Sequence, residues 1–132
     1  KNVYCLISDG ECNIGSTWES AQIATHHKLD NLVLIIDMNG LQAMGRTEDI
    51  LRPGARFSDR WRTFDWMVDE IDGHNHEQIE EVLKKKYVTP LPRVIIATTI
   101  KGKGFSKFEG NNLWHYSHVN GQVLKEALEE LR

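Results

Sequence analysis

Four apolar runs punctuate the chain, and each ends in polar or glycine-bearing residues. Val3-Tyr4-Cys5-Leu6-Ile7 runs into Ser8-Asp9-Gly10-Glu11, and Leu32-Val33-Leu34-Ile35-Ile36 runs into Asp37-Met38-Asn39-Gly40. A third begins at Trp66-Met67-Val68 and ends near Asp72-Gly73, and a fourth covers Arg93 to Ile100 before Lys101-Gly102-Lys103-Gly104. Such runs bounded by turn residues predict strands; the first is of buried-strand type, and the unbroken Leu32 to Asp37 predicts a central parallel strand buried on both faces, with the fourth again nearly all apolar. Between them the period changes to that of helices. Thr17 to Lys28 predicts a helix with an apolar, mostly small-residue face of Trp18, Ala21, Ile23 and Ala24, and with Ser16 and Glu19 at capping-box spacing. Thr47 to Gly54 reads as a polar loop. Phe57, Trp61 and Phe64 fall on one side of a short helix. Ile79, Val82 and Leu83 mark a helix over Glu77 to Tyr87, with Asn75 as its cap and Lys84-Lys85-Lys86 as a solvated last turn. Val123, Leu124, Ala127, Leu128 and Leu131 predict an amphipathic closing helix.

This alternation predicts an α/β fold: a parallel sheet of four strands joined by right-handed crossovers, with helices on both faces. In open sheets of that kind, ligands bind at the carboxyl ends of the strands. Two strand exits carry an oxygen-bearing side chain beside a glycine, Asp9-Gly10 and Asn39-Gly40. A carboxylate and an amide oxygen are hard ligands that suit Mg²⁺ or Ca²⁺ rather than zinc. Mg²⁺ takes few carboxylates and completes its octahedron with phosphate oxygens and water. Gly10 permits close backbone approach to a phosphate, and a following helix start brings free amides and positive dipole. The pattern therefore fits a metal–diphosphate clamp. Asp-Gly and Asn-Gly are equally the signature of plain turns.

Longer blocks carry more information. SDGECNIG, TWESAQIATHHKLDNL, IIDMNGLQ, IIATTIKGKG and the ENN-W-H block (Glu109 to His115) resemble, in order and spacing, the diphosphate-binding domain of transketolases. The resemblance runs from about Val3 to His118 and is nearest to the separate N-terminal subunit of split bacterial transketolases. It implies a thiamine diphosphate-binding fold with thiamine diphosphate and Mg²⁺ (or Ca²⁺) as cofactors. Asp9, Asn39 and the backbone carbonyl of Leu41 are the implied metal ligands. Asp9, Gly10, Glu11, Asn39, Leu41, Lys101 and His115 are the implied cofactor-binding residues. Lys101 and His115 are the implied catalytic pair, neutralising diphosphate charge and moving protons beside the substrate. Without the resemblance, Lys101 reads as a surface lysine and His115 as a loop histidine packed beside Trp114.

The resemblance also implies a transferase working as one component of a multi-chain enzyme. A partner transketolase subunit would hold the aminopyrimidine, in a hetero-oligomer of dimers that moves a two-carbon ketol unit between sugar phosphates. Four positions depart from the family pattern: Ser8, Ile14, Ala43 and Tyr116. Ile14 stands where many members carry a glutamate that links paired sites, and Ala43 and Tyr116 lie near where substrate binds. They suggest a specialised acceptor. Upstream strands, histidines and a glycine-rich loop of the family are not in these residues. The expectation is half of a thiamine diphosphate site that needs partners, with exposed apolar surface. A non-catalytic scaffold is the alternative. A deoxyxylulose-phosphate synthase or a dehydrogenase component is disfavoured by the KGKG and Asn-Asn-x-Trp-His blocks.

Composition narrows the rest. With 132 residues, 40% hydrophobic and 27% charged, the chain suits one folded domain. A net charge of −3 without a basic patch speaks against nucleic acid. No run approaches the roughly 20 apolar residues of a membrane span, and no signal sequence opens the chain. Cys5 and Cys12 suggest neither a zinc site nor a disulfide framework, which fits a reducing cytoplasm. His74 with His76, and His115 with His118, have metal-like spacings but lack further ligands nearby.

Overall fold

A computed structural model describes residues 1–132. The four apolar runs form β1 (Val3–Ser8), β2 (Leu32–Met38), β5 (Met67–Asp72) and β6 (Arg93–Thr98), all parallel, in the order β1-β2-β6-β5. Two short strands, β3 (Leu41–Gln42) and β4 (Gly45–Arg46), make an antiparallel hairpin directly after β2. The helices are α1 (Gly15–His26), α2 (Thr47–Leu51), α3 (Phe57–Thr63), α4 (His76–Lys84) and α5 (Gly121–Glu130).

The strand order explains the layers. From β1 to β2 and on to β5 the chain moves one way across the sheet, then returns to β6. Right-handed crossovers put connections running in opposite directions on opposite faces. Accordingly α1 and α3 share one face, where Ala21, Ala24, Phe57, Trp61 and Trp66 pack on Leu34, Ile36, Val94 and Ile96. On the other face Val82 of α4 meets Val33 and Ile95. Strands β2 and β6 are buried on both sides, which is why their sequences are unbroken apolar runs. Trp18, Trp61, Phe64 and Trp66 form a chain of ring contacts at 4.8 to 5.6 Å. Burying each such side chain stabilises the fold by roughly 1.5–3 kcal/mol. The Trp66 indole N–H donates to Ala21 O at 3.0 Å and Thr25 Oγ1 to Phe64 O at 2.6 Å, so α1 is stapled to the α3–β5 corner.

Several local expectations are corrected. The Ser16–Glu19 capping box does not form. Helix α1 begins at Gly15 with Ile14 as its cap, and no side chain caps it. Thr17 Oγ1 instead donates to Glu11 O at 2.7 Å, in the turn before the helix. Ile23 points outward at 57% exposure, so the buried stripe is narrower than the sequence suggests. The stretch after β4 is not wholly a loop, because Thr47–Leu51 closes one helical turn before Pro53. Helix α4 stops at Lys84, short of Tyr87. Its cap is as expected: Asn75 Oδ1 accepts from Glu77 N at 3.0 Å and Gln78 N at 3.1 Å.

The lysine run is not a uniform solvated face either. Lys85 Nζ reaches back to Asp69 Oδ1 at 2.7 Å. Asp69 also pairs with Arg93 Nε at 3.0 Å and accepts from Tyr87 Oη at 2.7 Å. This network ties β5, β6 and the α4–β6 connection together. No helix is long and apolar enough to cross a membrane. The β1 run is not buried as its apolar sequence predicts: it lies at the sheet edge with Val3, Tyr4 and Leu6 exposed at 52 to 69%, and with Leu124 and Leu128 of α5 and the following Leu131 it makes up exposed apolar surface of the kind expected.

Candidate functional site

Register brings the strand exits level. Ser8 is opposite Asp37, and Met38 is opposite Thr98. Asp9 N donates to Asp37 O at 3.1 Å, so the β1 ladder extends one residue past the strand and delivers Asp9 to the end of β2. Asp37 in turn accepts from Asn39 Nδ2 at 3.1 Å and from the Thr99 hydroxyl. The exits of β1, β2 and β6 are therefore joined by side chains as well as by backbone.

Asp9 is 1% exposed. Its Oδ2 accepts from Gly40 N at 2.8 Å and from Thr47 Oγ1 at 2.9 Å. Its Oδ1 is buried and has no hydrogen-bond partner. Buried polar atoms are almost always paired, because an unpaired one costs about 1–3 kcal/mol. The chain has three buried side-chain polar atoms without a partner: Asp9 Oδ1, Gln42 Nε2 and Trp61 Nε1. Two of them belong to this corner. Gln42 packs on Gly10, where an added Cβ would lie 3.3 Å from Gln42 Cγ. The unmatched acceptor on Asp9 is what a hard cation would satisfy.

Asn39 directly follows β2. Its amide nitrogen is held by Asp37, and its Oδ1 accepts from Leu41 N at 3.0 Å, leaving a second lone pair on that oxygen. The Asn39–Gly40 peptide is fastened to Asp9 through Gly40 N, which brings the backbone beside Asn39 next to the Asp9 carboxylate. Leu41 follows as the first residue of β3. The donor set of one carboxylate, one amide oxygen and a backbone carbonyl fits Mg²⁺ or Ca²⁺. Beside it, the Cys12 thiol is pushed up to about 12, first by burial and then by the charges of Asp9 and Glu11. It stays protonated at neutral pH and is no thiolate ligand.

The remaining sequence-predicted residues, Gly10, Glu11, Lys101 and His115, make no hydrogen bond to the Asp9 or Asn39 side chain. Gly10 opens a 3-10 turn, Gly10–Asn13, that separates the strand exit from α1. The amides nearest the exit are therefore those of this turn and not of the α1 N-terminus, which corrects the expectation of a helix start right after the glycine. The Glu11 carboxylate turns back to accept from Ser8 N at 2.8 Å and Ser8 Oγ at 3.2 Å. Lys101 follows β6. Just before it, Ile100 N donates to His74 Nε2 at 2.8 Å, which gives His74 a structural role in place of a metal-binding one. Lys101 O accepts from Gly110 N at 2.9 Å, closing the neck of a loop that leads on to the turn carrying His115. Lys103 pairs with Glu109 at 3.3 Å, whereas Lys101 has no such partner.

His115 lies in the 3-10 turn Asn112–His115, its ring 5.0 Å from that of Tyr116. The turn is docked on the β3–β4 hairpin by Asn112. In the orientation that satisfies both ends of its amide, the nitrogen donates to Gln42 O at 2.8 Å and the oxygen accepts from Gly45 N at 3.2 Å. So the hairpin after Asn39 carries the His115 turn, while neither Lys101 nor His115 hydrogen-bonds Asp9 or Asn39. A groove of about 400 Å³ opens at the ends of β2, β5 and β6, lined in part by Met38, Gly40, Thr47, Glu70 and Thr98. A separate apolar cavity of about 250 Å³, between β1 and α1, lies away from the strand exits.

Sequence reasoning misses two residues here. Thr47 reads as a loop residue, yet it is 2% exposed and bonded to Asp9. Asn112 reads only as part of a matched block. For Thr47 the usable signal is its place right after a hairpin that follows a strand-end Asn-Gly.

Comparison with known proteins gives a consistent result. The family described as "Transketolase, thiamine diphosphate binding domain" matches residues 1–131. An apulose-4-phosphate transketolase subunit from Actinobacillus succinogenes is 39% identical over 132 residues, all of this chain and 48% of that protein. A 6-deoxy-6-sulfo-D-fructose transketolase subunit from Clostridium sp. is 38% identical over 98% of this chain and 47% of its own length. The chain thus spans about half the length of these relatives. The crystal structure of transketolase from Campylobacter jejuni superposes with a TM-score of 0.88 at 31% identity, covering 98% of this chain and 20% of that one.

Proposed function

Because the chain belongs to the transketolase family, in its thiamine diphosphate binding domain, we propose that it supplies the diphosphate- and metal-holding half of a thiamine diphosphate site. Asp9, Asn39 and the Leu41 carbonyl hold a Mg²⁺ (or Ca²⁺), and Gly10 and the turn amides after it receive the diphosphate. Bound there, thiamine diphosphate supplies a carbanion-forming thiazolium, and the protein contributes binding, orientation and electrostatics. Lys101 sets a positive charge near the diphosphate, and His115 holds or moves a proton beside the substrate. Glu11 shapes the strand exit through Ser8.

The observation that carries this reading is the unpartnered, buried Asp9 Oδ1 beside the Asn39–Gly40 peptide. A carboxylate left open at that depth is a cost to the fold unless a ligand uses it. The whole protein then acts as one subunit of a cytoplasmic, multi-chain transketolase. It transfers a two-carbon ketol unit between sugar phosphates together with a partner that holds the aminopyrimidine. Two relatives whose names carry unusual ketoses, apulose 4-phosphate and 6-deoxy-6-sulfofructose, support an unusual sugar substrate on the donor side, and Ala43 and Tyr116 support a specialised acceptor.

The test is calorimetric titration of thiamine diphosphate with Mg²⁺ into the full-length protein co-expressed with its partner. The Asp9→Ala, Asn39→Ala double variant serves as control. Metal-dependent binding that disappears in the variant is the expected result. A well-folded complex that binds no cofactor would overturn the reading in favour of a scaffold.

A further inference from the structure

Three hydrogen bonds close a ring around the Asp9 carboxylate. Gly40 N donates to Asp9 Oδ2 at 2.8 Å, Thr47 N donates to Gly40 O at 2.9 Å, and Thr47 Oγ1 donates to Asp9 Oδ2 at 2.9 Å. Thr47 is thus the residue that grips both sides, through its backbone to the Gly40 carbonyl and through its hydroxyl to the carboxylate. It is 2% exposed, and the carboxylate it grips is 1% exposed, so water does not compete for either group. Because Oδ2 already accepts two donors, the carboxylate cannot turn to offer that oxygen. Oδ1, buried and unpartnered, is the one left open.

We propose that Thr47 is a positioning residue of the cation site: its hydroxyl fixes the Asp9 carboxylate so that Oδ1 alone faces the metal, at a set spacing from Asn39. The inference rests on the diphosphate–metal reading above and adds to it a residue that touches neither metal nor cofactor. Its chemistry is that of outer-shell partners generally, which orient a ligating oxygen and whose loss typically weakens metal binding about 10–100-fold. The side chain's own demands are modest. Valine reproduces the shape of threonine without the hydroxyl, and serine keeps the hydroxyl without the methyl.

The experiment uses the full-length protein with its partner and Mn²⁺ as the probe, in the presence of thiamine diphosphate, followed by electron paramagnetic resonance titration. Such a titration returns a site number and a dissociation constant separately. A variant that partly misfolds lowers the number, whereas a misplaced ligand raises the constant. The expected result is a dissociation constant raised about 10-fold or more in Thr47→Val and within about threefold of wild type in Thr47→Ser. Wild-type affinity in Thr47→Val overturns the inference and leaves the metal site standing. Equal weakening in Thr47→Ser and Thr47→Val also overturns it, since the hydroxyl would then not be what matters. If the wild-type complex binds no Mn²⁺, the functional reading falls, and this inference falls with it.

Discussion

Two buried aspartates stand at opposite ends of the sheet, and their surroundings differ in kind. Asp69, near the start of β5, has both oxygens filled: Oδ1 by Lys85 Nζ and Tyr87 Oη, each at 2.7 Å, and Oδ2 by Tyr87 Oη at 2.9 Å and Arg93 Nε at 3.0 Å. Two of its partners are cations. Asp9, at the exit of β1, has only neutral donors, both on Oδ2, and nothing on Oδ1. The first carboxylate is a completed fastening between strands. The second is an incomplete one, and incompleteness at a buried acceptor is a cost the fold carries. The same residue type serves stability at one end of a strand layer and, on the proposed function, ligand capture at the other. What separates them is whether the chain itself provides the countercharge.

Removing each carboxylate should therefore have opposite consequences, and the larger belongs to Asp69. Asp69→Ala leaves the Arg93 guanidinium, buried and directed at Val82 O and Lys85 O, without its counter-ion. Breaking such a pair costs about 3–5 kcal/mol. Chemical denaturation should show a loss of that order, with cofactor affinity in the folded fraction unchanged.

The same network sets an acid limit. Burial alone would raise the Asp69 carboxyl, but the hydrogen bonds from Lys85, Tyr87 and Arg93 outweigh it and hold it below its ordinary value. A carboxyl depressed in the folded state adds stability above its unfolded pKa, about 3.9. That stability is lost as pH falls through the folded value. Wild-type stability should thus drop below about pH 4. Asp69→Asn should flatten that part of the profile, and an unaltered profile would show that Asp69 contributes no linkage.

Asp9→Asn should do the reverse. It removes a carboxylate whose one oxygen has no partner while keeping an oxygen for Gly40 N and Thr47. Unfolding of the metal-free protein should be as difficult as in wild type or more so. Mg²⁺-dependent binding of thiamine diphosphate should fall about 100-fold or more, since a neutral amide is a poorer cation ligand and outer-shell changes alone reach that range. A clear loss of metal-free stability with cofactor binding retained would erase the contrast between the two aspartates.

How much of this contrast could be read from the chain depends on how local its causes are. Strands β2 and β6 were legible because burial on both faces leaves no polar position to confuse the pattern. Asp9 and Asn39 were legible because each follows an apolar run and precedes a glycine. Lys85 was not, because its partner lies sixteen residues away on another element, and a lysine among lysines carries no mark of that. Thr47 was hidden for the same reason, with 38 residues between it and Asp9. The start of helix α1 was hard to place because the Ser16–Glu19 spacing suits a cap that does not form, while Thr17, at the same start, donates back into the preceding turn. Local chemistry names the candidates, and long-range contacts decide which are used.

The smallest expected effect sharpens the contrast at the incomplete end alone. Gly102 has φ +75°, and a Cβ there would lie 2.8 Å from Phe108 O and 2.7 Å from Phe108 Cβ. That contact is largely with backbone, so the loop must shift to accept even alanine. A non-glycine residue in that region costs about 1–3 kcal/mol, and the strain falls on the segment between Lys101 and the Asn112–His115 turn. Helix α5 is tied to the same segment, since Ser106 N donates to Glu130 Oε1 at 2.7 Å and Lys107 pairs with Glu126 at 2.9 Å. The core helices and the Asp69 network have no part in it. Gly102→Ala should therefore weaken thiamine diphosphate about 10-fold, by the strain that closing the loop demands, while Mn²⁺ remains coordinated by Asp9 and Asn39. Cofactor titration at saturating metal reads the first quantity and resonance of the bound Mn²⁺ the second. Equal loss of both would mean that the loop helps to build the proposed metal corner itself, so that the strand exit and the Lys101–His115 segment act as one unit.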